Sequence, residues 1–454
     1  MNFARALYSA AMWCAQPLLR RKLRRRARAE PGYGRAVPER FGHYAQPMDS
    51  LLGHSTTGPA GHFVWVHAVS LGETRAAAIL LAELRRQLPG MRLLLTHGTA
   101  TGRAEGEKLL QPGDVQVWQP WDTPGAVGRF LTKFRPSVGV LMETEVWPNL
   151  VAACRQRGIP LVLANARLNE LSLARAQRVA PLARPAFAGL ASVLAQTDDD
   201  ARRLRALGAP VAGVFGNLKF DVVPEARQLA LGKAWREATG RPVVLLASSR
   251  EGEEALWLDA FRQKTALAHE SIGRDAIKNI AEGQVGSGAV QWLIVPRHPQ
   301  RFDEVHRLLE RAGLSVSRRS SWPDSGPAPA DVWLGDTVGE MSLYYGLAHV
   351  ALLGGSFAPL GGQNLIEAAA CGCPVVMGPH TFNFAEAAEL AAAAGAARRV
   401  PDMPAGLAAA QTIAGNPAAQ SAWSQQATHF AAGHRGAALA MAKAIAATVS
   451  AAQR

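Results

Sequence analysis

From residue 63 onward the chain alternates short apolar runs with longer amphipathic stretches, and this alternation limits the folds open to it. Residues 63–66 have the composition of a strand that is buried on both faces. Residues 74–88 carry an apolar stripe that includes Leu80 and Leu84, as an amphipathic helix does. Strands that alternate with helices in this way predict an α/β fold with parallel, doubly wound, Rossmann-like sheets.

The strand runs fall into two series, which predicts two domains. The first continues at 92–96, 115–118, 137–142, 160–163, 192–195 and 211–215, and the second comprises 243–246, 292–295, 350–353 and 375–377. We place the boundary in the turn-rich segment between them, so that a first domain covers 31–217 and a second covers 218–454, ending in one or two alanine-rich helices from 417. Residues 266–290 lack periodicity and predict a surface insertion. We expect a central ligand cleft that both sheets face with the carboxyl ends of their strands.

The positive charge is concentrated near the N-terminus. The 454 residues include 49 Lys and Arg against 36 Asp and Glu, a net charge of +13, and residues 20–28 alone carry seven cations without an acid. The remaining chain is only mildly basic, and no aromatic residue interrupts the cluster, which argues against a nucleic-acid partner. The four cysteines follow neither disulfide nor zinc spacing, so we expect thiols in a reducing compartment and no metal site.

An apolar run, residues 3–19, precedes the basic cluster. A secretory signal carries its charge before the apolar run, so the order argues against one. The run is slightly shorter than the roughly 20 residues that span a bilayer. We therefore predict that residues 1–30 form a membrane anchor that either lies in the membrane–water interface or barely spans the bilayer. Its cations would contact anionic lipid at the cytoplasmic face. The alternative is an amphipathic helix that docks on a partner protein.

The first candidate motif, HAVSLGE at residues 67–73, lies where the first strand passes into the first helix. Ser70 and Glu73 have the spacing of a capping box, in which each side chain satisfies a backbone donor. Gly72 is a poor helix former, and a glycine in the first turn is typical of a place where a ligand approaches the backbone. The motif leaves two functions open for Glu73, helix capping and general-base catalysis.

A pair of acids, in METEVWPN at residues 142–149, follows another predicted strand. One carboxylate is enough to complement the dipole of the helix that begins near Pro148. We therefore predict a functional role for Glu143 and a structural role for Glu145.

Three turns of the second domain together predict a nucleotide site. LGGSFAPLGGQNLIE at 353–367 places paired glycines after a strand and Glu367 in the next helix, a pattern typical of a phosphate cradle with a ribose-binding acid. VPRHP at 295–299 offers Arg297 and His298 to a phosphate. GDTVGE at 335–340 ends in Glu340, which can cap a helix or contact the nucleotide.

The order of these motifs resembles one known family, the 3-deoxy-D-manno-octulosonic acid (Kdo) transferases of lipopolysaccharide synthesis, which are two-domain glycosyltransferases of the GT-B type. The resemblance covers about residues 33–430. It rests on the ordered set HAVSLGE, THGTATG, METEVWPNL, ANARL, GNLKFD, VPRHPQRF, GDTVGEM and LGGSFAPLGGQNLIEA. The family also carries an N-terminal membrane-anchoring segment.

The resemblance implies an inner-membrane enzyme that needs no metal and no cofactor and transfers Kdo from CMP-Kdo to a lipid A precursor, lipid IVA, with inversion. Glu73 corresponds to the catalytic base, and Glu143 and Lys219 correspond to residues that stabilise the transition state. The CMP-binding segments correspond to Pro296 and Arg297, to Val338, Gly339 and Glu340, and to Asn364, Leu365, Ile366 and Glu367.

Three other functions stay open on the sequence: a GT-B transferase that uses a UDP-sugar; a non-catalytic, membrane-associated binding protein; and a hydrolase or epimerase of the same fold, which would turn over the donor without a lipid acceptor. A donor screen separates the first from a Kdo transferase. The presence of Glu73, Glu143, Lys219 and the glycine-rich turn argues against the second. The sequence contains no P-loop, HExxH or GxSxG motif, which argues against the chemistry of those families.

Overall fold

A computed structural model of the protein describes residues 3–45, 63–271 and 290–452. The chain forms two compact units, one made of Met1–Asp221 with Arg435–Arg454 and the other of Val222–His434. Within the described residues each unit holds one seven-stranded sheet, and neighbouring strands run parallel. The predicted α/β fold with two parallel sheets is confirmed.

The first unit contains the strands of the first series with helices between them. Its strands are β1 (Phe63–His67), β2 (Arg92–His97), β3 (Val115–Trp118), β4 (Val138–Met142), β5 (Leu161–Ala166), β6 (Ser192–Ala195) and β7 (Val211–Val214). Its helices before the boundary are α1 (Phe3–Cys14), α2 (Gln16–Ala29), α3 (Leu71–Gln87), α4 (Ala100–Glu107), α5 (Pro124–Phe134), α6 (Pro148–Gln156), α7 (Glu170–Arg178), α8 (Ala180–Ala188) and α9 (Asp198–Ala206).

The second unit repeats this architecture. Its strands are β8 (Val243–Ser249), β9 (Gln291–Pro296), β10 (Val316–Arg318), β11 (Val332–Leu334), β12 (Val350–Leu353), β13 (Val375–Met377) and β14 (Ala397–Arg399). Its helices are α10 (Ala226–Thr239), α11 (Glu253–Ser271), α12 (Phe302–Arg311), α13 (Met341–Leu347), α14 (Leu365–Ala370), α15 (Ala385–Ala393), α16 (Met403–Ala414) and α17 (Pro417–Gly433). Of the predicted insertion at 266–290, residues 266–271 belong to the end of α11, and residues 272–289 lie outside the described residues.

Each sheet has one point at which the strand order reverses. The orders are β3-β2-β1-β4-β5-β6-β7 and β10-β11-β9-β8-β12-β13-β14, so the reversals fall between β1 and β4 and between β8 and β12. Loops that leave the carboxyl ends of two such strands diverge, and doubly wound domains bind ligands in the resulting crevice. The motifs around Glu73 and Glu143 follow β1 and β4, and the glycine-rich turn follows β12, so all three lie at these reversal points.

Alternating residues of the central strands pack into two different cores. Trp65 and Leu141 belong to the core that contains Phe130 of α5, whereas Val66 and Val140 belong to the core that contains Leu80 of α3. A shift of one residue in the strand pairing would exchange the two sets of side chains. The register that sets the carboxyl ends of β1 and β4 is therefore fixed by packing on both faces.

The last helix, α18 (Ala437–Ala452), corrects the predicted domain division, which placed it in the second domain. Met441 and Ile445 pack with Leu80 and Leu84 of α3 in the first unit. Asp221 also holds the helix, because its carboxylate accepts the N–H groups of Gly436 and Ala438, both at 2.5 Å. The boundary consequently falls after Asp221 rather than after residue 217.

Residues 3–29 form two helices, α1 and α2, with Pro17 in the first turn of the second. Helix α1 is fastened to the first unit by polar contacts: Ser9 Oγ donates to Asn149 Oδ1 at 2.9 Å, and Tyr8 hydrogen-bonds Asp122. Over residues 3–45, 63–271 and 290–452, no helix combines the length and the apolar character needed to cross a membrane.

Replacing Asp221 with Ala is expected to destabilise the protein by about 1 to 2 kcal/mol, because the N-terminus of α18 loses its capping carboxylate. Limited proteolysis should then cut near Arg435 faster than in wild type. The matched control is Asp402→Ala, which removes the cap of α16 in the second unit and should leave that cleavage rate unchanged. Equal cleavage near Arg435 in wild type and Asp221→Ala would contradict this role of Asp221.

Candidate functional site

The carboxylate of Glu73, in the first turn of α3, is fixed by local hydrogen bonds. Its Oε2 accepts the Val69 N–H at 2.9 Å and its Oε1 accepts the Ser70 hydroxyl at 2.9 Å. Ser70 Oγ in turn accepts the Glu73 N–H at 3.3 Å. The predicted cap therefore forms, and each carboxylate oxygen accepts one hydrogen bond from the described residues, which leaves it a second lone pair, while the side chain stays partly exposed. Capping thus orients Glu73 without preventing it from accepting a proton.

Burial raises the pKa of the Glu73 carboxyl, while the hydrogen bonds from Val69 and Ser70 act in the opposite direction. The negative charge of Glu143 raises this pKa further, and the Arg167 guanidinium lowers it. A carboxylate with a raised pKa binds a proton more tightly, which suits a general base that works near neutral pH.

Gly72, beside Glu73, has open space around it. It is exposed, and among the described residues a Cβ at this position would have one neighbour within 4 Å, Ser70 Oγ at 4.0 Å. Packing within the protein therefore does not require a glycine here. The close approach of a ligand to this turn stays a prediction.

Glu143, directly after β4, combines burial with a left-handed backbone, φ 56°. Asn165, opposite it near the end of β5, has φ 51° and is also buried. Such conformations are costly for residues other than glycine and concentrate at functional sites. The Arg167 Nε donates to Glu143 Oε2 at 2.6 Å, so a half-exposed cation compensates the buried charge.

The carboxyl group of Glu145 interacts electrostatically with those of Glu73 and Glu143. Its Oε2 accepts the Trp147 Nε1–H at 2.9 Å and lies 4.0 Å from Nε2 of the buried His67. Burial, with the charges of Glu73 and Glu143, raises the pKa of Glu145 to about 7. Burial lowers the pKa of His67 to about 3, so the imidazole is neutral at pH 7 and forms no ion pair with Glu145. Three carboxyl groups therefore share the reversal point of the first sheet.

Lys219 lies in the 3-10 turn Leu218–Asp221, which belongs to the first unit with Glu73 and Glu143. Asn165 Oδ1 accepts the Leu218 N–H at 3.1 Å, and Asn217 Oδ1 accepts the Lys219 N–H at 3.0 Å. The backbone that carries Lys219 is thereby tied to the end of β5.

Gln196 completes this network of amide side chains. Its Oε1 accepts from Asn217 Nδ2 at 3.0 Å, and its Nε2 donates to the Asn165 carbonyl at 2.8 Å. Sequence reasoning did not select Asn165, Gln196 or Asn217. The available signal was a polar residue at the end of an apolar strand, as Asn165 is in β5.

The segments predicted to bind CMP lie in the second unit. Pro296 ends β9, and the Arg297 N–H donates to the Ser249 carbonyl at the end of β8, at 2.9 Å. The Gly339 carbonyl accepts from Gln228 Nε2 at 3.0 Å, and Val338 is exposed.

Glu340 does not cap α13 with its side chain. Its carboxylate accepts hydrogen bonds from the Arg319 guanidinium at 2.9 Å and from the Thr337 hydroxyl. Of the two functions left open for this acid, capping is excluded, and contact with a nucleotide stays a prediction.

The last predicted segment, 364–367, begins α14. Asn364 Oδ1 caps this helix by accepting the Ile366 N–H at 3.0 Å. Leu365 and Ile366 are buried, so in this segment only the backbone and the side chains of Asn364 and Glu367 are placed to meet a donor.

The glycine-rich turn before α14 differs from the predicted phosphate cradle. The N–H groups of Gly355, Phe357 and Ala358 already donate to the carboxylate of the buried Glu253. The amides that would hold a phosphate group are thus occupied by the protein itself. Among the residues that the structure describes, no group of three or more His, Cys, Asp or Glu is placed to hold a metal ion.

Comparisons with known proteins give one consistent result. Residues 35–222 match the family model of the 3-Deoxy-D-manno-octulosonic-acid transferase (kdotransferase). The 3-deoxy-D-manno-octulosonic acid transferase of Bordetella pertussis is 47% identical over 440 residues, which are 95% of this chain and 96% of that protein. The enzyme of the same name from Haemophilus influenzae is 30% identical over 390 residues, 84% of each chain.

A solved glycosyltransferase of Rickettsia africae has the same fold as this chain. The likeness covers 86% of this chain and 98% of that one, with a TM-score of 0.53 at 12% sequence identity. Together with the two parallel sheets, it confirms the predicted GT-B type of fold with two Rossmann-like domains.

Between pH 5 and pH 8, Glu145→Gln is expected to change in stability less unfavourably than wild type. Because the folded-state pKa of Glu145, about 7, lies above its ordinary 4.5, the titration of this one group subtracts stability as the pH rises from 4.5 to 7. A neutral amide removes this loss, at about 1.4 kcal/mol for each pKa unit. Urea unfolding at pH 5 and pH 8 measures the difference.

The control for this measurement is Glu107→Gln, a change of an exposed acid at the end of α4, which should follow wild type. The interpretation fails if the change in the free energy of unfolding between pH 5 and pH 8 is the same in Glu145→Gln and wild type.

Proposed function

The chain belongs to the family of 3-deoxy-D-manno-octulosonic acid (Kdo) transferases, and from this premise we propose which acceptor, which stereochemical course and which catalytic base it uses. It is a glycosyltransferase that transfers Kdo in lipopolysaccharide synthesis. The sugar passes from CMP-Kdo to a hydroxyl group of a lipid A precursor, lipid IVA, with inversion and without a metal ion. Glu73 is the general base. This proposal rests on the carboxylate of Glu73, which is oriented by hydrogen bonds, partly exposed and located at the reversal point of the first sheet.

In the proposed reaction a Glu73 oxygen takes the proton of the acceptor hydroxyl. The acceptor oxygen forms its bond to the anomeric carbon of Kdo on the face opposite to CMP. The bond to CMP breaks, and the electron pair leaves on the phosphate oxygen. Attack from the opposite face inverts the configuration.

The developing charges have candidate partners in the same unit. Glu143 supplies negative charge toward a sugar ring that becomes positive, and Lys219 supplies positive charge toward anionic groups of the substrates. Both roles are supported by the way the structure positions the two residues. Glu143 has a left-handed backbone and pairs with Arg167, and the turn that contains Lys219 is hydrogen-bonded to Asn165.

The second unit binds the donor in this proposal, through the segments at Pro296 and Arg297, at Val338, Gly339 and Glu340, and at Asn364, Leu365, Ile366 and Glu367. The positions of two of these segments support their role in donor binding. Because β9, β8 and β12 are parallel neighbours in one sheet, the segments that follow β9 and β12 lie at the same edge of that sheet, at the carboxyl ends of its strands. A donor screen with CMP-Kdo and UDP-sugars tests the choice of nucleotide.

We also propose that the N-terminal helices hold the enzyme on anionic lipid at the cytoplasmic face of the inner membrane. The outer side of α1 exposes Phe3, Leu7 and Trp13 by 84%, 63% and 69%. The cations of α2 follow directly. An exposed apolar face beside a cationic helix suits the interface of an anionic bilayer.

The transfer reaction is tested with CMP-Kdo and a tetraacylated lipid A precursor in detergent, with the products resolved by mass. Wild type should form product, and Glu73→Ala should be slower by a factor of roughly 100 to 10,000, since a general base contributes that much. Glu107→Ala, which removes an exposed acid of the same unit, is the matched control and should retain activity. A Glu73→Ala protein that folds and transfers at the wild-type rate would show that Glu73 only caps α3.

Membrane attachment is tested by flotation with vesicles of phosphatidylglycerol and phosphatidylethanolamine. The triple change Phe3→Ser, Leu7→Ser and Trp13→Ser should lower the bound fraction, because it removes exposed apolar area from α1. Val223→Ser, at a valine that is 78% exposed in the second unit, is the control. Equal flotation of the triple variant and wild type would rule out α1 as the attachment site.

A further inference from the structure

Glu253, the first residue of α11, places a fully buried carboxylate beneath the glycine-rich turn of the second unit. Its Oε2 accepts the N–H groups of Arg250 at 2.8 Å and Gly355 at 2.6 Å. Its Oε1 accepts those of Phe357 at 3.0 Å and Ala358 at 3.4 Å. Four backbone donors from two separate loops therefore converge on one side chain.

These two loops leave the strands between which the order of the second sheet reverses. Arg250 follows β8, and the turn 354–358 follows β12. The turn lies directly against the end of β8, since a Cβ on Gly354 would meet the Ser248 carbonyl oxygen at 2.3 Å. Glu253 thus bridges the two loops at the point where a doubly wound domain binds its ligand.

The turn is also fixed to the chain that leads to α14. The Gly362 N–H, just before α14, donates to the Gly355 carbonyl at 2.7 Å. A second contact holds the turn from the loop after β13, where Ser356 Oγ accepts the Gly378 N–H at 2.8 Å. A displacement of the turn would therefore be passed to residues 362–364 and to the start of the predicted donor segment.

The geometry of the hollow is that of an anion site. Backbone N–H groups that point to one place bind phosphate or carboxylate groups, and glycine-rich turns commonly use them for the phosphates of nucleotides. Burial raises the pKa of the Glu253 carboxyl, and the four backbone hydrogen bonds oppose that rise because they stabilise the anion. Without the carboxylate, several buried N–H groups would lack an acceptor.

We propose that Glu253 is a positioning residue of the donor site: its carboxylate fills the amide-lined hollow of the turn 354–358, the place that a phosphate group takes in other glycine-rich turns. The turn is therefore shaped before the donor arrives, and the donor phosphate binds outside the hollow. This inference rests on the proposal that the second unit binds CMP-Kdo.

Glu253→Ala combined with acetate tests the assignment, because this substitution removes the atoms of one acetate ion. Calorimetric titration with CMP should show binding at least about tenfold weaker than in wild type, since the unpaired amides reshape the turn. Acetate at about 0.1 M should restore most of the CMP affinity by filling the hollow, and sodium chloride at equal ionic strength should not. Asp259→Ala, at an exposed acid of the same helix, should bind CMP as wild type does.

Unchanged CMP affinity in Glu253→Ala would overturn the assignment, and so would a loss that acetate and chloride affect equally. If Glu253→Ala does not fold, Glu253→Gln, of the same shape but without charge, replaces it. The KM for CMP-Kdo should then rise while the KM for the lipid acceptor stays the same, and equal effects on both would overturn the assignment. Failure of wild type to bind CMP would instead refute the proposed donor, and this inference with it.

Discussion

The candidate site of the first unit depends on the parallel register of β1, β4 and β5. His67 of β1 lies beside Leu141 of β4, and Met142 of β4 lies beside Ala164 of β5. Because the strands end together, the loops that follow them start from one edge of the sheet. The register is itself held by two cores that take alternate residues of the same strands. Core packing therefore sets the positions of Glu73 and Glu143, although neither side chain belongs to the two cores.

Buried carboxyl groups recur at the reversal points of both sheets, and each has a different way of tolerating burial. Glu143 pairs with the Arg167 guanidinium, and Glu253 accepts four backbone N–H groups. Glu145 has only the Trp147 indole as hydrogen-bond donor in the described contacts, and its pKa rises to about 7. An anion needs compensation when it leaves water, and a carboxyl group that lacks it binds a proton instead. These acids thus differ in the partners that their carboxyl groups find within the protein.

The alternation of apolar runs and helices was sufficient to predict most strands, because strands buried on both faces have an unambiguous composition. Strands β10, β11 and β14 were missed, since each has three residues and pairs at the outer part of the sheet. Helix α18 was assigned to the wrong domain because an alanine-rich pattern does not specify what the helix packs on. The capping box of Ser70 and Glu73 was predictable because both partners lie within one turn. The hollow filled by Glu253 was not, since its carboxylate and the Gly355 amide are 102 positions apart.

The role of Glu73 as an oriented base with a raised pKa is measured by the dependence of kcat/KM for Kdo transfer on pH between 4 and 9, with folding checked at each pH. A base must be deprotonated to act, so the rate should fall as the pH drops through the pKa of Glu73. We expect an acid limb in the wild-type profile whose midpoint lies above the ordinary 4.5 of a glutamate. This limb should be absent from the residual activity of Glu73→Gln. The same acid limb in both proteins would show that Glu73 is not the base.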